Sequence, residues 1–490
     1  MAPLMTSRIW PILQVLGGLL MFFSLTYLMP IVASLVYGDG TWIDFVLAMA
    51  MAFAFGAILH LLGRSKKREL QPRDGFILVT LAWILMAGIA TVPPMLVIDD
   101  LSFTDAFFET MSGLTTTGAT MLTGLENLPP AINVWRHELN WLGGMGIIVL
   151  AVAILPLLGV GGMQLYKAEA TGVNKDSKLT ARIADTAKVL WLVYFFVTLA
   201  CIFALKLAGM NWLDAICHAF AAMSLGGFST YDSSVGQFDS PLIEAVLIVF
   251  MTIAAINFAS HFLAWHKRSL AVYWQDTEAK AVVGLLVSST LVCALYIMAS
   301  GVYPDFLTSL RHVSFNLVSI ATDCGFASQD YDKWPIFVPL WMLFLSCITV
   351  SAGSTGGGIK MIRTLILAQQ GLLELKRLVH PRIIAPLRIG EKGIPASIGG
   401  AVLGFIFLYI LAVGELTFLL VASGLDFTSS ITAIVACINN AGPGLNVVGP
   451  AQNYQSLNDF QTWVCTAAML IGRLEVMTIF VLFTPTFWRS

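Results

Sequence analysis

The sequence predicts an all-α polytopic membrane protein with four tandem span, pore-helix, filter, span repeats around one pore, preceded by two extra N-terminal spans. Three observations lead there. Hydrophobic residues make up 57% of the 490 and Asp, Glu, Lys and Arg only 11%, against about 25% charged in an ordinary soluble domain. Apolar stretches long enough to cross a bilayer recur along the chain. Between several of them lie shorter apolar segments that end in small residues. The 27 basic and 29 acidic residues nearly cancel, so bulk charge gives no reason to expect nucleic acid, and the distribution of charge is the useful quantity. The seven cysteines are scattered, with no CxxC pair and no His spacing suited to zinc, and read as structural.

A spanning helix needs about 20 mainly apolar residues, which places spans at 10–36, 42–62, 77–98, 138–159, 188–208, 241–265, 281–302, 334–368, 396–422 and 460–486. The first of these belongs to an uncharged run over 9–38, much longer than the roughly 7 to 15 residues of a signal-peptide core, so it is expected to stay as a membrane helix. Segments 104–117, 213–226, 310–324 and 427–441 are too short to cross and read as half-crossing pore helices.

Orientation follows from basic residues. Arg8, the clusters at 64–73 and 167–188, then Lys267, Arg268 and Lys280, the run from Lys360 to Lys392, and Arg489 fall on one side, 22 of the 27. The other side keeps Arg136, Lys206, Arg311 and Lys333 and most of the acids. Both termini are therefore expected in the cytoplasm, with the four short segments entering from the outer face.

The repeat defines the architecture. Setting Gly118 on Gly227 brings Asp105-Ala106 over Asp214-Ala215, and Thr115-Thr116-Thr117-Gly118-Ala119-Thr120 over Ser224-Leu225-Gly226-Gly227-Phe228-Ser229. A third unit carries Thr322-Asp323-Cys324-Gly325-Phe326-Ala327-Ser328 and a fourth Asn439-Asn440-Ala441-Gly442-Pro443-Gly444, so the glycines are 109, 98 and 117 residues apart. The chain divides into two N-terminal helices in 1–76, then repeats in 77–165, 186–268, 280–372 and 394–490.

Four such units can close around an axis and bring four glycine-centred turns together. Irregular backbone at membrane depth is tolerated only where it is buried in protein or lines a wet cavity. Glycine lets a turn present its carbonyls without a Cβ clash, and a ring of carbonyls replaces the hydration shell of a monovalent cation. The hydroxyls of Thr116 and Thr117 are further oxygen ligands on this reading. Pore helices also aim their partly negative C-terminal ends at the axis.

At these residues the chain resembles the Trk/Ktr/HKT superfamily of potassium transporters, and its two extra N-terminal spans resemble the bacterial TrkH branch. The TTTGAT, GGFST, DCGFAS and NNAGPG stretches are similar to that family's four filter signatures, and the likeness covers essentially the whole chain. It implies a K⁺ selectivity filter made by Thr116, Thr117, Gly118, Leu225, Gly226, Gly227, Asp323, Cys324, Gly325, Asn440, Ala441 and Gly442. K⁺ itself, the substrate, would sit at the oxygens of Thr116, Thr117, Leu225, Gly226, Asp323, Cys324, Asn440 and Ala441. No cofactor is expected on this chain. Glycine at all four ring positions goes with K⁺ selectivity in the family. Asp323-Cys324 and Asn440-Ala441 depart from a potassium-channel-like pattern, so the ring is expected to be asymmetric and less stringent than a four-fold identical filter.

The stretch Gly353-Ser354-Thr355-Gly356-Gly357-Gly358 lies inside the 334–368 span. As one helix, 334–367 would run about 51 Å, well beyond a hydrocarbon core of about 30 Å. The helix must break, and the resemblance implies that the break is an intramembrane gate. A phosphate loop is the nearest rival, but Ile359 separates Gly358 from Lys360, Met361 replaces Ser or Thr, and no βα unit surrounds it. The rival for the break itself is a flexible cytoplasmic helix end. Arg473 falls near mid-membrane, where a guanidinium demands a polar cavity or a partner. The expected partners are the Gly-loop carbonyls, with Glu475 on another helix face; a purely structural hydrogen-bond network is the other reading. Asn257 and His261 read as interhelical packing glue, and Glu415 stays unassigned.

These features point to K⁺ uptake across a bacterial inner membrane through a channel-like pore, with carrier-type symport of K⁺ with H⁺ or Na⁺ as the alternative. Repeats running in the same direction argue against alternating access built on inverted repeats. No triad, glycosidase carboxylate pair or HExxH motif supports an enzyme. The spans leave no room for a soluble nucleotide-binding domain, so regulation is expected in trans. The resemblance implies a homodimer, in contact with membrane lipid, resting on cytoplasmic nucleotide-binding, TrkA-like subunits.

Overall fold

Among the described residues, six helices are long and apolar enough to cross a membrane, and two further helix pairs qualify if each is counted as one bent span. The computed structural model describes residues 2–64, 72–149, 183–382, 387–390 and 392–488 of the 490. Large apolar side chains such as Phe22, Phe196, Phe407 and Phe418 cover the outside. Hydrocarbon is the solvent that suits such a surface. A hairpin of Leu387–Ile389 paired antiparallel with Lys392–Ile394 is the one sheet among the described residues.

Four short helices recur where the sequence expects them: Phe103–Leu114, Trp212–Ser224, Phe306–Ala321 and Phe427–Asn439. Each starts on a polar cap. Ser102, Asn211, Asp305 and Asp426 accept from the backbone N–H three residues on, at 3.1, 2.8, 2.8 and 2.9 Å. Such caps satisfy one of the free N–H groups that every helix start leaves open.

Two apolar cores hold the repeats together. One joins repeats two and three; the other joins repeats one and four with the N-terminal helices, through residues such as Tyr27, Phe108, Trp135 and Tyr454. Tyr27 stacks on Trp135 with centroids 4.5 Å apart, and Phe108 meets Tyr454 at 5.3 Å. Repeat four thus returns to repeat one, and the bundle closes.

Several expectations need correction. The 241–265 span is not continuous: Pro241–Ala255 and Phe258–Lys267 meet at 98°. The 460–486 span likewise splits into Asp459–Arg473 and Val476–Phe483 at 109°. The 334–368 span breaks as expected, but the irregular stretch begins at Thr349, well before the glycines, and lasts to Lys360. Asn257 lies at the bend of the repeat-two pair and His261 inside its second half-helix, Phe258–Lys267. Asn257 caps the second half-helix by accepting from the Ala259 N–H at 2.8 Å, and His261 reaches back to the Ile253 carbonyl at 2.9 Å and to Tyr273 Oη at 2.8 Å. The span at 138–159 belongs to a helix that already starts at Pro130. Its end, and the basic residues at 66–68, 167–182 and 489, lie outside the described residues.

Candidate functional site

Each short helix ends on one motif. The N–H groups of Thr117, Gly226, Cys324 and Ala441 donate to the carbonyls of Ser112, Ala221, Ser319 and Ala436, at 2.8 Å in all four repeats. The residues just before, Thr116, Leu225, Asp323 and Asn440, donate to carbonyls three back and have φ of 55°, 54°, 66° and 58°. Two bonds around a left-handed residue make a Schellman cap. Glycine normally fills that position, because a Cβ in the left-handed region costs roughly 1–2 kcal/mol. None of the four is glycine. Strain repeated at one register of four turns marks a site rather than a packing accident.

Two residues on, Gly118, Gly227, Gly325 and Gly442 are again left-handed, with φ of 79°, 65°, 89° and 85°. A Cβ built on Gly118 would strike the Gly226 carbonyl oxygen, one on Gly227 that of Cys324, one on Gly325 that of Ala441 at 2.5 Å, and one on Gly442 that of Thr117 at 2.7 Å. The contacts run from repeat one to two, three, four and back to one. This is a closed ring of backbone. All twelve residues expected at the filter are therefore brought together. Thr117 is a partial exception, since its hydroxyl bonds Thr115 Oγ1 at 2.8 Å and accepts from Asn440 Nδ2 at 3.0 Å. That leaves Thr117 its backbone carbonyl as a ligand, whereas Thr116 Oγ1 has no hydrogen-bond partner.

Polar side chains absent from the sequence reading brace the ring. Glu109, His218 and Asn316 each stand nine residues before their glycine. Glu109 accepts from the Met121 N–H at 2.9 Å, His218 Nε2 meets Ser229 Oγ at 2.9 Å, and Asn316 Oδ1 accepts from the Ser328 N–H at 3.0 Å. Arg136 pairs with Glu109 at 2.8 Å, donates to the Ser229 carbonyl at 3.1 Å and lies over the Phe228 ring at 4.4 Å. One buried ion pair thus ties the turns of repeats one and two. A vestibule opens above, with Gly118, Gly227 and Gly325 in its lining.

On the other side of the ring the 353–358 stretch crosses the bundle. Its backbone pairs with the groups that the bend in repeat two sets free: the Ser351 N–H donates to the Ala255 carbonyl at 2.9 Å, and the Phe258 N–H donates to the Gly353 carbonyl at 3.1 Å. Thr355 Oγ1 donates to the Met223 carbonyl at 3.0 Å. A Cβ on Gly356 would strike the Val350 side chain at 2.6 Å and stand 3.2 Å from the Thr322 carbonyl, and one on Gly357 would land on the Asn439 carbonyl oxygen. The loop therefore touches the ends of three pore helices. Arg473 is buried and donates to the Thr355 carbonyl at 3.0 Å and to the Gly143 carbonyl at 2.7 Å, which ties the loop to repeats four and one. Glu475, as expected, does not pair with Arg473; it pairs with Arg363 at 2.9 Å. Glu278, which the sequence reading passed over, accepts from the N–H of Ala352 at 3.1 Å and of Ile362 at 3.0 Å, one at each end of the break.

Comparison with known proteins matches residues 43–490 to the family TrkH, described as a cation transport protein. The Trk system potassium uptake protein TrkH of Salmonella typhimurium is 46% identical over 480 residues, 98% of this chain and 99% of that one. The Trk system potassium uptake protein TrkG of Escherichia coli strain K12 is 38% identical over 488 residues, 99% of this chain and 100% of that one. Among solved structures, the crystal structure of the potassium transporter TrkH from Vibrio parahaemolyticus superposes with a TM-score of 0.90 at 42% identity, over 98% of this chain and 100% of that one.

Proposed function

The chain belongs to the TrkH family of cation transport proteins, and from that premise we propose that it takes up K⁺ across the inner membrane of a bacterium through a channel-like pore. The closed ring of four left-handed glycines carries this reading, because each glycine abuts the carbonyl of the next repeat with no room for a side chain. K⁺ sheds its water onto the carbonyls of Thr116, Thr117, Leu225, Gly226, Asp323, Cys324, Asn440 and Ala441, whose dipoles replace the hydration shell. The short helices point their C-terminal, partly negative ends at the same place, which favours a cation over an anion. The 353–358 loop is the gate and Arg473 its latch.

Regulation comes in trans. The protein is a homodimer that rests on cytoplasmic, nucleotide-binding, TrkA-like subunits, with both termini on the cytoplasmic side. A cysteine introduced at Lys376, in the basic last turn of Met361–Val379, stays unlabelled by an impermeant thiol reagent added to intact cells and becomes labelled after permeabilisation. Labelling from outside would reverse the orientation.

Single-channel recording in planar bilayers tests the pore itself. Stepwise K⁺ currents that persist without a proton or Na⁺ gradient are expected; strict dependence of flux on such a gradient would favour the symporter. Gly118→Ser adds a Cβ and a hydroxyl at a φ of 79° and lowers K⁺ over Na⁺ discrimination by about tenfold, equivalent to about 1.4 kcal/mol, while the protein still inserts. Unchanged bi-ionic reversal potentials would remove Gly118 from the filter.

A further inference from the structure

The bracing of the ring changes in one repeat. Glu109, His218 and Asn316 stand nine residues before their glycine, but the same register in repeat four is Ala433, whose side chain has no polar atom. Thr432 takes over one bond, its Oγ1 accepting from the Leu445 N–H at 3.0 Å. A second bond comes from Tyr454. This side chain is buried, and its Oη donates to the carbonyl of Gly442 itself at 2.9 Å. Of the four ring glycines, Gly442 is the one among the described residues whose carbonyl accepts a hydrogen bond. No other repeat has a tyrosine to match it, since the positions twelve after Gly118, Gly227 and Gly325 are Pro130, Asp239 and Phe337.

The tyrosine is mounted on the neighbouring repeat. Its N–H donates to the Thr120 carbonyl at 2.9 Å, and its ring meets Phe108 of the repeat-one pore helix at 5.3 Å. Thr120 is held in turn by the buried ion pair, because its Oγ1 donates to the Glu109 carboxylate at 3.0 Å and accepts from Arg136 Nη2 at 3.3 Å. A continuous chain of contacts therefore runs from Glu109 and Arg136 through Thr120 and Tyr454 to the glycine carbonyl of repeat four. Tyr454 lines the vestibule together with Gly118, Gly227 and Gly325, so the chain ends at the vestibule side of the ring.

We propose that Tyr454 is a positioning residue for ion selectivity, whose hydroxyl fixes the direction of the Gly442 carbonyl. A carbonyl oxygen has two lone pairs, so the bond leaves one for an ion. What it removes is the freedom to swing. A loose carbonyl closes on Na⁺, the smaller ion, whereas oxygens that keep their spacing match the hydration shell of K⁺. This rests on the filter reading above.

Tyr454→Phe tests the proposal, because it takes away the hydroxyl and leaves the ring on Phe108 and the N–H on Thr120. Reversal potentials of the full-length protein in planar bilayers are taken under bi-ionic K⁺/Na⁺ and K⁺/Rb⁺ conditions, beside thermal unfolding of the same preparation. In Y454F the preference for K⁺ over Na⁺ falls about fivefold, the effect of one hydrogen bond of ordinary strength. The K⁺/Rb⁺ ratio and the unfolding temperature stay close to those of the parent. Tyr454→Leu, which removes ring and hydroxyl together, loses thermal stability as well. A K⁺/Na⁺ ratio that is unaltered in Y454F and falls only in Y454L makes Tyr454 a packing residue and overturns the proposal. A parent without K⁺ preference would sink the filter reading itself, whereas a K⁺-selective parent with an unaltered Y454F sinks only the role of the tyrosine.

Discussion

Gly227→Ala is expected to abolish selective K⁺ conduction, the largest effect of any single methyl in the ring. The Cβ would land on the Cys324 carbonyl oxygen, closer than at any of the other three glycines. Two costs add. An L-residue at φ 65° is strained by roughly 1–2 kcal/mol, and the displaced oxygen belongs to the coordinating carbonyl of the next repeat. Because that carbonyl shares its peptide plane with the Gly325 N–H, which donates to the Ser319 carbonyl at 3.3 Å, it cannot move without loosening the cap of repeat three. A filter with one carbonyl out of line loses the geometry that rewards K⁺ over the smaller Na⁺, so a loss of discrimination well beyond tenfold, that is beyond about 1.4 kcal/mol, is the expected reading of bi-ionic reversal potentials. Gly442→Ala, whose Cβ would stand 2.7 Å from its neighbour, should be the mildest of the four. Equal effects at Gly227 and Gly442 would mean that the contacts between repeats do not set the pore.

The ring was legible in the sequence because its signal is local and repeated. A short apolar segment, a polar cap and a small-residue turn recur at 109, 98 and 117 residues, and no tertiary partner is needed to see it. The two sharp bends were not legible. Hydropathy runs unbroken through Ala254-Ala255-Ile256-Asn257-Phe258, with neither Pro nor Gly to end the helix. What makes the break affordable is the loop of repeat three, whose groups accept from Phe258 and donate to Ala255, and that partner lies about a hundred residues away. Glu278 was hidden for a different reason. An acid in the first turn of a helix reads as a complement to the helix dipole, which masks its second task of holding both ends of the loop. The bracing register of Glu109, His218 and Asn316 becomes visible once the glycines are aligned, but three different residue types stand there, and only the post-filter turns show that each does the same job.

Arg473→Ala is the second large expectation. The guanidinium spans two carbonyls that do not otherwise meet, Thr355 on the loop and Gly143 on the repeat-one helix, at 3.0 and 2.7 Å. Hydrogen bonds from a charged donor contribute roughly 1.5–3 kcal/mol each, so losing the one to the loop shifts a closed–open equilibrium by about tenfold to a hundredfold. Thr355 stays tethered through its own hydroxyl to Met223, which keeps the loop from unravelling and limits the effect to the latch. Open probability without the regulatory partner should therefore rise, while reversal potentials stay at the parent value, because the loop lies on the far side of the glycine ring from the vestibule. Arg473→Lys separates charge from geometry: an ammonium keeps the positive charge but lacks the planar fork that reaches two carbonyls at once, so it should open the pore nearly as far as alanine does. Removing 356–358 should give the same direction, since it takes away the Gly356 carbonyl that holds Lys360. If Arg473→Ala changed selectivity and left open probability untouched, the arginine would be a brace for the ring, acting through Gly143, which packs against the last turn of the repeat-one pore helix at the Leu114 carbonyl, and the latch would have to be Glu278.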